Sequence, residues 1–220
     1  MIKNFIRFIF IVSLTLLCSC QSNPTFDTFT TLLPWTKQYS QVQPGYEYIL
    51  VSANGHQAVM ALGSRESLPD NVARLRTHEY WYTGTGEMIH LVNGRVNKAL
   101  GFTHEIRSQT QSYPSWEDLL DSKNPVTWFR KLDLMPGYRY NLLNNVSTYK
   151  ISFPSDSPDY LPSRTQWIAD SVESKSLDGR AWRYLQRFAI VDGVVFYSEQ
   201  CIDKDLCLTI RKLGVVVPSK

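Results

Sequence analysis

The 220-residue chain carries 23 basic and 20 acidic side chains with no run of like charge, which excludes a nucleic-acid-binding surface built on a basic patch. Lys3 and Arg7 lie in the apolar N-terminal segment, so the rest of the chain is nearly neutral, with 21 basic and 20 acidic side chains. Aromatic residues make up 13% of the chain, which is typical of a β-rich domain because aromatic side chains pack well on pleated surfaces.

The first twenty residues predict a secretory signal that ends in a lipidated cysteine. Residues 5–17 are almost wholly apolar but too short to span a bilayer as a helix. The end of this segment, Leu17-Cys18-Ser19-Cys20, resembles the lipobox of bacterial lipoproteins. We therefore predict a signal peptide over residues 1–19 and a lipid anchor on Cys20. A plain signal peptide and an uncleaved N-terminal anchor are the alternatives.

The residues after the cysteine predict where the protein is held. Gln21 stands where an Asp typically favours retention in the inner membrane of bacteria, so we expect an anchor in the outer membrane. Two or three acyl chains together hold a protein durably to a membrane. Residues 20–45 are predicted to be a tether and docking segment, and residues 46–217 a single β-rich domain.

Strands predominate after the tether, and Gly-containing turns separate them. Asn54-Gly55 and Asn93-Gly94 each lie between apolar-rich runs, a strong hairpin signal because both turn positions need positive φ. Residues 64–75 are polar and are predicted to be a loop, and Gly84-Thr85-Gly86 is predicted to turn the chain between two strands. We therefore expect a meander of antiparallel strands over residues 46–102.

The middle and C-terminal parts of the chain add a helix and further strands. Ser115-Trp116-Glu117-Asp118 resembles a capping box that opens a short helix, and Asn124-Pro125 ends it. Residues 166–174 fit a helix or a strand, and the turn signal Asp178-Gly179 favours the strand. Another meander follows through Asp192-Gly193. We predict a mainly β fold, an antiparallel meander sheet that can curl into an open barrel or a sandwich, with one or two short helices.

Two cysteines, Cys201 and Cys207, lie within the predicted domain. Export from the cytoplasm makes a disulfide the default for such a pair. A metal site would need further His or Cys ligands nearby, and a catalytic thiol pair is normally spaced as CxxC. We predict a structural disulfide that closes a small loop and adds about 2–3 kcal/mol of stability. We predict neither a metal site nor a cofactor.

No catalytic motif stands out, because the chain lacks GxSxG, P-loop, GxGxxG and HExxH patterns. Paired carboxylates on predicted strands could still support glycoside cleavage. The candidates are Glu79, Glu87, Glu173 and Glu199. Such residues are also typical of the polar face of a half-solvated sheet. We predict that the protein is not an enzyme, and the alternative is a polysaccharide-modifying enzyme of the glycoside hydrolase type.

Two histidines are predicted to lie close together across a hairpin. Symmetric pairing around Gly84–Gly86 places His90 near Tyr80 and diagonal to His78. This edge offers two metal ligands, whereas zinc sites in proteins use at least three. We therefore interpret both histidines as residues of the solvent face of a sheet.

Tyr80-Trp81-Tyr82 is the candidate polysaccharide-binding segment. Strand alternation puts Tyr80 and Tyr82 on one face of the sheet and Trp81 on the other. One face supplies core, and the other can offer aromatic planes to the apolar C–H faces of sugar rings. Packing on the surface or between sheets is the alternative interpretation.

Several segments, by their order and spacing, resemble one protein family. They are residues 48–51, 54–55, 58–63, 81–84, 87–96, 101, 187–188, 192–195 and 198–200. The family is that of the YjbF/GfcB lipoproteins, which are linked to exopolysaccharide and group 4 capsule production. The likeness extends over nearly the whole chain after the signal, and is weakest in the middle.

The resemblance implies an outer-membrane lipoprotein that faces the periplasm and has a mainly antiparallel β fold. Such proteins are typically encoded beside other secretion components, including a large outer-membrane β-barrel protein, and no catalytic residue is established for them. We therefore expect an accessory factor in polysaccharide export or assembly that acts as a scaffold or binds polymer. The expected partners are polysaccharide-secretion proteins and the polysaccharide itself.

Overall fold

The computed structural model describes residues 42–70, 74–109, 113–175, 181–203 and 206–215, which form a closed antiparallel barrel. Its twelve described strands are β1 (Glu47–Ala53), β2 (His56–Pro69), β3 (Leu75–Tyr82), β4 (Met88–Val92), β5 (Arg95–Leu100), β6 (Glu105–Ser108), β7 (Val126–Met135), β8 (Arg139–Ile151), β9 (Gln166–Lys175), β10 (Ala181–Val191), β11 (Val194–Asp203) and β12 (Leu206–Val215). Each strand pairs with its neighbours in the chain, and the barrel closes because β1 also pairs with β12. The predicted antiparallel, curled meander is confirmed.

The helix predicted after Ser115 and the strand predicted over residues 166–174 are both present. A single helix is described, α1 (Trp116–Asp121), and the Ser115 side chain caps it by accepting a hydrogen bond from the Asp118 backbone N–H at 3.1 Å. Residues 166–174 belong to strand β9, as the following turn signal favoured. No helix among the described residues has the length and apolar character that crossing a membrane requires.

Three Asx-Gly turns connect neighbouring strands as predicted. Asn54, Asn93 and Asp192 each have a φ of 49°, and the glycine after each also has positive φ. These angles match the tight turns whose twist fits antiparallel strands. The Asp178-Gly179 turn lies outside the described residues, as do the predicted signal peptide and most of the predicted tether.

The prediction of a loop over residues 64–75 is wrong. Strand β2 continues to Pro69, and β2 and β3 pair from Ser64 opposite Tyr80 to Pro69 opposite Leu75. The side chains of this part of β2 are mostly exposed. A strand ladder is held by backbone hydrogen bonds, so a polar stretch can continue it where a neighbouring strand supplies partners.

The barrel has two unlike ends. We call the end that carries α1 and the turns at Asn93-Gly94 and Asp192-Gly193 the helix end. The opposite end, which we call the disulfide end, carries the β11–β12 hairpin, where Cys201 and Cys207 lie directly opposite each other and are joined by a disulfide. The predicted disulfide is confirmed.

Apolar side chains fill the interior toward the disulfide end. Buried residues from most of the strands form one cluster, among them Ile49, Ala53, Met60, Ile89, Ala99, Ile106, Leu134, Leu142, Ile202 and Leu208. Their alternation along each strand matches the period-2 pattern of a sheet with one buried face. This cluster is the main hydrophobic core of the protein.

Polar side chains cross the interior at the helix end. Arg95 on β5 reaches Asp170 on β9, with Nε–Oδ2 and Nη2–Oδ1 distances of 3.2 and 3.3 Å, although three strands separate them around the barrel wall. The Thr148 hydroxyl donates to Asp170 Oδ1 at 2.6 Å, and Trp128 Nε1 donates to that hydroxyl at 2.9 Å. Helix α1 covers this region, with Trp116 packed against Phe188.

Candidate functional site

A cavity of about 470 Å³ lies at the helix end of the barrel. Its volume falls in the range of roughly 300–1,000 Å³ that is usual for small-molecule sites. Strands β1, β2, β3 and β12 supply charged and aromatic wall residues, α1 supplies Trp116, and the Asn93-Gly94 turn and the start of β11 complete the lining. The closure of the barrel therefore brings residues from both ends of the sequence to one space.

Four charged side chains in the wall form one hydrogen-bonded group, which we call the charged quartet: Glu47, Arg65, Glu79 and Lys212. Glu79 Oε1 accepts from Lys212 Nζ at 2.9 Å and from Arg65 Nε at 3.0 Å. The same Arg65 guanidinium donates to both oxygens of Glu47, at 2.8 and 2.6 Å. Two positive and two negative charges balance, so the quartet is formally neutral.

The pairing of Arg65 with Glu47 favours the charged form of both groups. The hydrogen bond from Arg65 lowers the pKa of the Glu47 carboxyl below its usual value. The hydrogen bond to Glu47 in turn raises the pKa of Arg65 above its usual value. A glycosidase needs one carboxyl with a raised pKa to act as an acid, and Glu47 has the opposite shift.

Two buried polar atoms in the cavity wall have no hydrogen-bond partner among the described residues. They are Glu79 Oε2, an acceptor, and Trp81 Nε1, a donor, on side chains two residues apart on the same face of β3. Glu79 is 4% exposed and Trp81 is fully buried. Buried polar atoms are normally paired, so these two are exceptions, and neither atom is itself exposed to the cavity in this structure.

Trp116 is held firmly in the remaining wall. Its Nε1 donates to the Asn93 carbonyl at 2.7 Å, and the Arg95 guanidinium lies 3.7 Å from the centre of its ring. The turn that supplies this carbonyl packs tightly on β11, since a Cβ at Gly94 would lie 2.5 Å from the Cβ of Val195. The turn, the helix and β11 thus fix the mouth of the cavity together.

The family model described as "Group 4 capsule polysaccharide lipoprotein gfcB, YjbF" matches residues 33–213 of the sequence. The chain belongs to this family. The predicted family resemblance is therefore confirmed, and the protein is a member of a lipoprotein family associated with capsule polysaccharide. The family description names no catalytic activity. No protein of curated function matches the sequence.

A solved structure shares the fold of this GfcB/YjbF family member. The crystal structure of the hypothetical lipoprotein YmcC from Escherichia coli K12 matches with a TM-score of 0.64 and 14% sequence identity. The match covers 82% of this chain and 94% of that chain. At this identity the likeness shows the fold alone.

The structure divides the candidate segment Tyr80-Trp81-Tyr82 between two surfaces, as the predicted alternation requires. Trp81 lies in the interior and lines the cavity, whereas Tyr82 is 44% exposed on the opposite face. Tyr80 stacks on His90 with 4.2 Å between the ring centres. The three residues therefore form no single platform, and polysaccharide binding by this segment stays a prediction.

The predicted arrangement of the histidine hairpin is confirmed. Tyr80 lies directly opposite His90, and His78 Nδ1 lies 3.0 Å from His90 Nε2. Burial is the main cause that lowers the pKa of His90 to about 4, and the neighbouring His78 and Lys98 add to it. Burial also lowers the pKa of His78. The interpretation of both histidines as solvent-face residues is wrong for His90, which is only 7% exposed because Tyr80 and His78 stack on it.

The four glutamates considered for catalysis lie in different surroundings. Only Glu79 lines the cavity. The carboxylate of Glu87 accepts from the hydroxyls of Thr83 and Thr85, Glu173 pairs with Arg183, and Glu199 pairs with Arg187 and Tyr197. The structure therefore does not bring any two of these four glutamates together at the cavity.

Sequence reasoning missed Glu47, Arg65, Lys212 and Trp116 as site residues. Lys212 and its partner Glu79 are 133 residues apart, and they meet only because the barrel closes. Arg65 belongs to the stretch predicted as a loop, and Trp116 to a helix whose position was unknown. The sequence does not single out Lys212, because the neighbouring Arg211 is also charged.

Proposed function

We propose that the protein is an accessory factor in the export or assembly of capsule or exopolysaccharide, acting as a scaffold or a polymer binder. The observation that carries the proposal is the match of a capsule polysaccharide lipoprotein family over residues 33–213. The helix-end cavity supports a binding role, because its volume and its mixed charged and apolar lining suit a small polar ligand.

The proposed place of action is the periplasmic face of the outer membrane. The lipobox-like residues 17–20 and Gln21 support a lipid anchor on Cys20 there, and membership of a lipoprotein family supports an anchor in general. In this position the barrel can contact polysaccharide-secretion proteins, including an outer-membrane β-barrel protein, where polymer leaves the cell.

The geometry of the carboxylates supports binding rather than cleavage. Retaining and inverting glycosidases both need two carboxyl groups that flank the scissile bond, one of them with a raised pKa. In the cavity, Glu47 and Glu79 are instead bridged by the guanidinium of Arg65. The hydrogen bond from Arg65 lowers the pKa of the Glu47 carboxyl, which opposes an acid role for that residue.

Gene deletion with complementation tests the proposed function. We expect loss of the gene to lower surface polysaccharide and the wild-type gene to restore it. The variant Cys20→Ala should lose its membrane attachment and fail to restore the polysaccharide. Cys18→Ala is the matched control, since it alters the neighbouring cysteine, keeps Cys20 and should restore it fully. Unchanged surface polysaccharide in the deletion strain would contradict the proposal.

A pull-down of the lipidated protein, with and without added polymer, separates the two mechanisms. A scaffold should capture periplasmic and outer-membrane secretion proteins in both conditions. A polymer binder should retain the polysaccharide itself and capture secretion proteins only when polymer is present.

A further inference from the structure

We propose that the helix-end cavity binds an uncharged saccharide unit of one or two rings. The inference rests on the proposed function, of which it names the ligand and the binding residues. It stands on the hydrogen-bonding atoms, the charge and the aromatic lining of the cavity.

The unpaired atoms of the wall match the hydroxyl group of a sugar. Glu79 Oε2 can only accept a hydrogen bond and Trp81 Nε1 can only donate one. A hydroxyl does both, so a sugar hydroxyl can pair with either atom once a side-chain movement exposes that atom to the cavity. The terminal torsion of a glutamate has a broad energy minimum, so a small rotation of Glu79 can present Oε2 to a ligand while Oε1 keeps its cations.

The charge of the cavity favours an uncharged ligand. Arg65 and Lys212 are balanced by Glu47 and Glu79, so an anion would meet two carboxylates and a cation would meet a guanidinium and an ammonium. A buried charge without a partner is costly, so either ligand would be bound less well than a neutral one. A uronic acid should therefore bind more weakly than the corresponding neutral sugar.

The lining also offers apolar surfaces for the C–H faces of a sugar ring. Trp116 belongs to the wall but is only 6% exposed, so the open apolar surface is that of Val194 and Phe196 at the start of β11, with exposed fractions of 47% and 36%. A wall that combines aromatic planes with a few well-placed polar atoms is the usual composition of a small-molecule site. Phe196 is exposed enough to be changed without disturbing the core.

The test uses the full-length lipoprotein in a zwitterionic detergent that carries no sugar headgroup. The probes are the neutral disaccharides lactose, cellobiose, maltose and N-acetyllactosamine, and the uronic-acid-containing disaccharide of hyaluronan as the charged comparison. Binding is measured by saturation-transfer NMR on the sugar and by the change in total tryptophan fluorescence, to which Trp81 and Trp116 contribute among six tryptophans. We expect at least one neutral disaccharide to bind more tightly than the charged one.

Variants assign the binding to the cavity. Glu79→Gln and Trp81→Phe each remove one hydrogen-bonding function, and we expect each to weaken binding about 10-fold or more. Phe196→Ala, a change at the exposed mouth that leaves the fold intact, should weaken it about 2- to 10-fold. Glu173→Gln and Trp182→Phe are matched controls outside the cavity and should bind as the wild type does.

Three outcomes would overturn the inference: no binding of any neutral probe, tighter binding of the charged disaccharide, or unchanged binding in all three cavity variants. These failures differ from failure of the proposed function. A deletion strain that lacks surface polysaccharide while the protein binds no sugar would leave the accessory role intact and remove the cavity as its ligand site.

Discussion

The two ends of the barrel fill their interiors differently, although both contain buried apolar residues, Ile168 and Phe188 among them at the helix end. Toward the disulfide end the interior is a continuous apolar cluster, whereas the helix end contains the Arg95–Asp170 pair and the charged quartet. Apolar burial stabilises a fold in proportion to area, while buried ion pairs often contribute little net stability because desolvation offsets their attraction. The contrast indicates that the disulfide end mainly stabilises the fold and the helix end mainly carries the site.

The largest effect is expected from breaking the ion pair that crosses the helix end. Asp170 and Arg95 are 1% and 2% exposed, so Asp170→Ala leaves a buried guanidinium without its carboxylate. We expect a loss of about 3–5 kcal/mol in the free energy of unfolding, measured by urea denaturation. The double variant Asp170→Leu, Arg95→Met should recover much of the loss, because both charges are then absent.

An exposed ion pair supplies the control for this prediction. Arg164 and Asp192 form a hydrogen bond of 2.9 Å, but their side chains are 67% and 69% exposed. Solvent screening limits such pairs to about 0–1 kcal/mol, so Asp192→Ala should change stability little. If Asp170→Ala and Asp192→Ala lowered the free energy of unfolding equally, burial would not determine how much an ion pair contributes to stability.

A core substitution at the disulfide end tests whether stability there depends on side-chain volume rather than on specific hydrogen bonds or charges. Ile89 is fully buried within the apolar cluster, so Ile89→Ala should cost about 2–4 kcal/mol. Ile89→Leu conserves volume and should cost less than about 1.5 kcal/mol. A loss in Ile89→Leu as large as that in Ile89→Ala would show that the core at the disulfide end does not depend on volume alone, and the contrast between the two ends would fail.

The disulfide is expected to contribute less than the core around it. Cys201 and Cys207 close a short loop, and the loop-entropy model gives about 2–3 kcal/mol for it. Unfolding of the wild type with and without reductant measures this contribution, and Cys201→Ser with Cys207→Ser should match the reduced protein. Saccharide binding at the far end should persist in the double serine variant, since the two ends are packed separately.

Features that depend on a few neighbouring residues could be predicted from the sequence. The turns at Asn54-Gly55 and Asn93-Gly94 and the cap at Ser115 follow from the local backbone preferences of those residues. The disulfide followed from the predicted export of the chain, because an exported pair of cysteines is normally oxidised. The extension of β2 through residues 64–69 could not be predicted this way, because it depends on pairing with β3 rather than on its own pattern.

The cavity could not be predicted because it depends on closure of the sheet. Single hairpins fix which residues lie opposite each other, so the neighbours Tyr80 and His90 could be predicted. Glu47 and Lys212 line the cavity from β1 and β12, the first and last strands in the chain. No local sequence pattern indicates that β1 pairs with β12, so the sequence alone could not predict the cavity.

The smallest predicted effect concerns pH and compares the outer face of β3 and β4, where His78 and His90 lie, with the cavity face rather than comparing the two ends. The folded-state pKa of His90 is about 4, below its ordinary value of 6.5, mainly because of burial. The unfolded chain therefore binds more protons between these values, and stability present near pH 7 is lost as the pH falls from about 6.5 toward 4. Linkage gives a loss of about 2 kcal/mol between pH 7 and pH 5. His90→Gln should flatten this slope in urea denaturation, whereas His104→Gln, a histidine outside the pair, should keep it. If the pH dependence of the free energy of unfolding were unchanged in His90→Gln, groups other than His90 would cause it. The titratable groups on the cavity face of β3 would then be tested next.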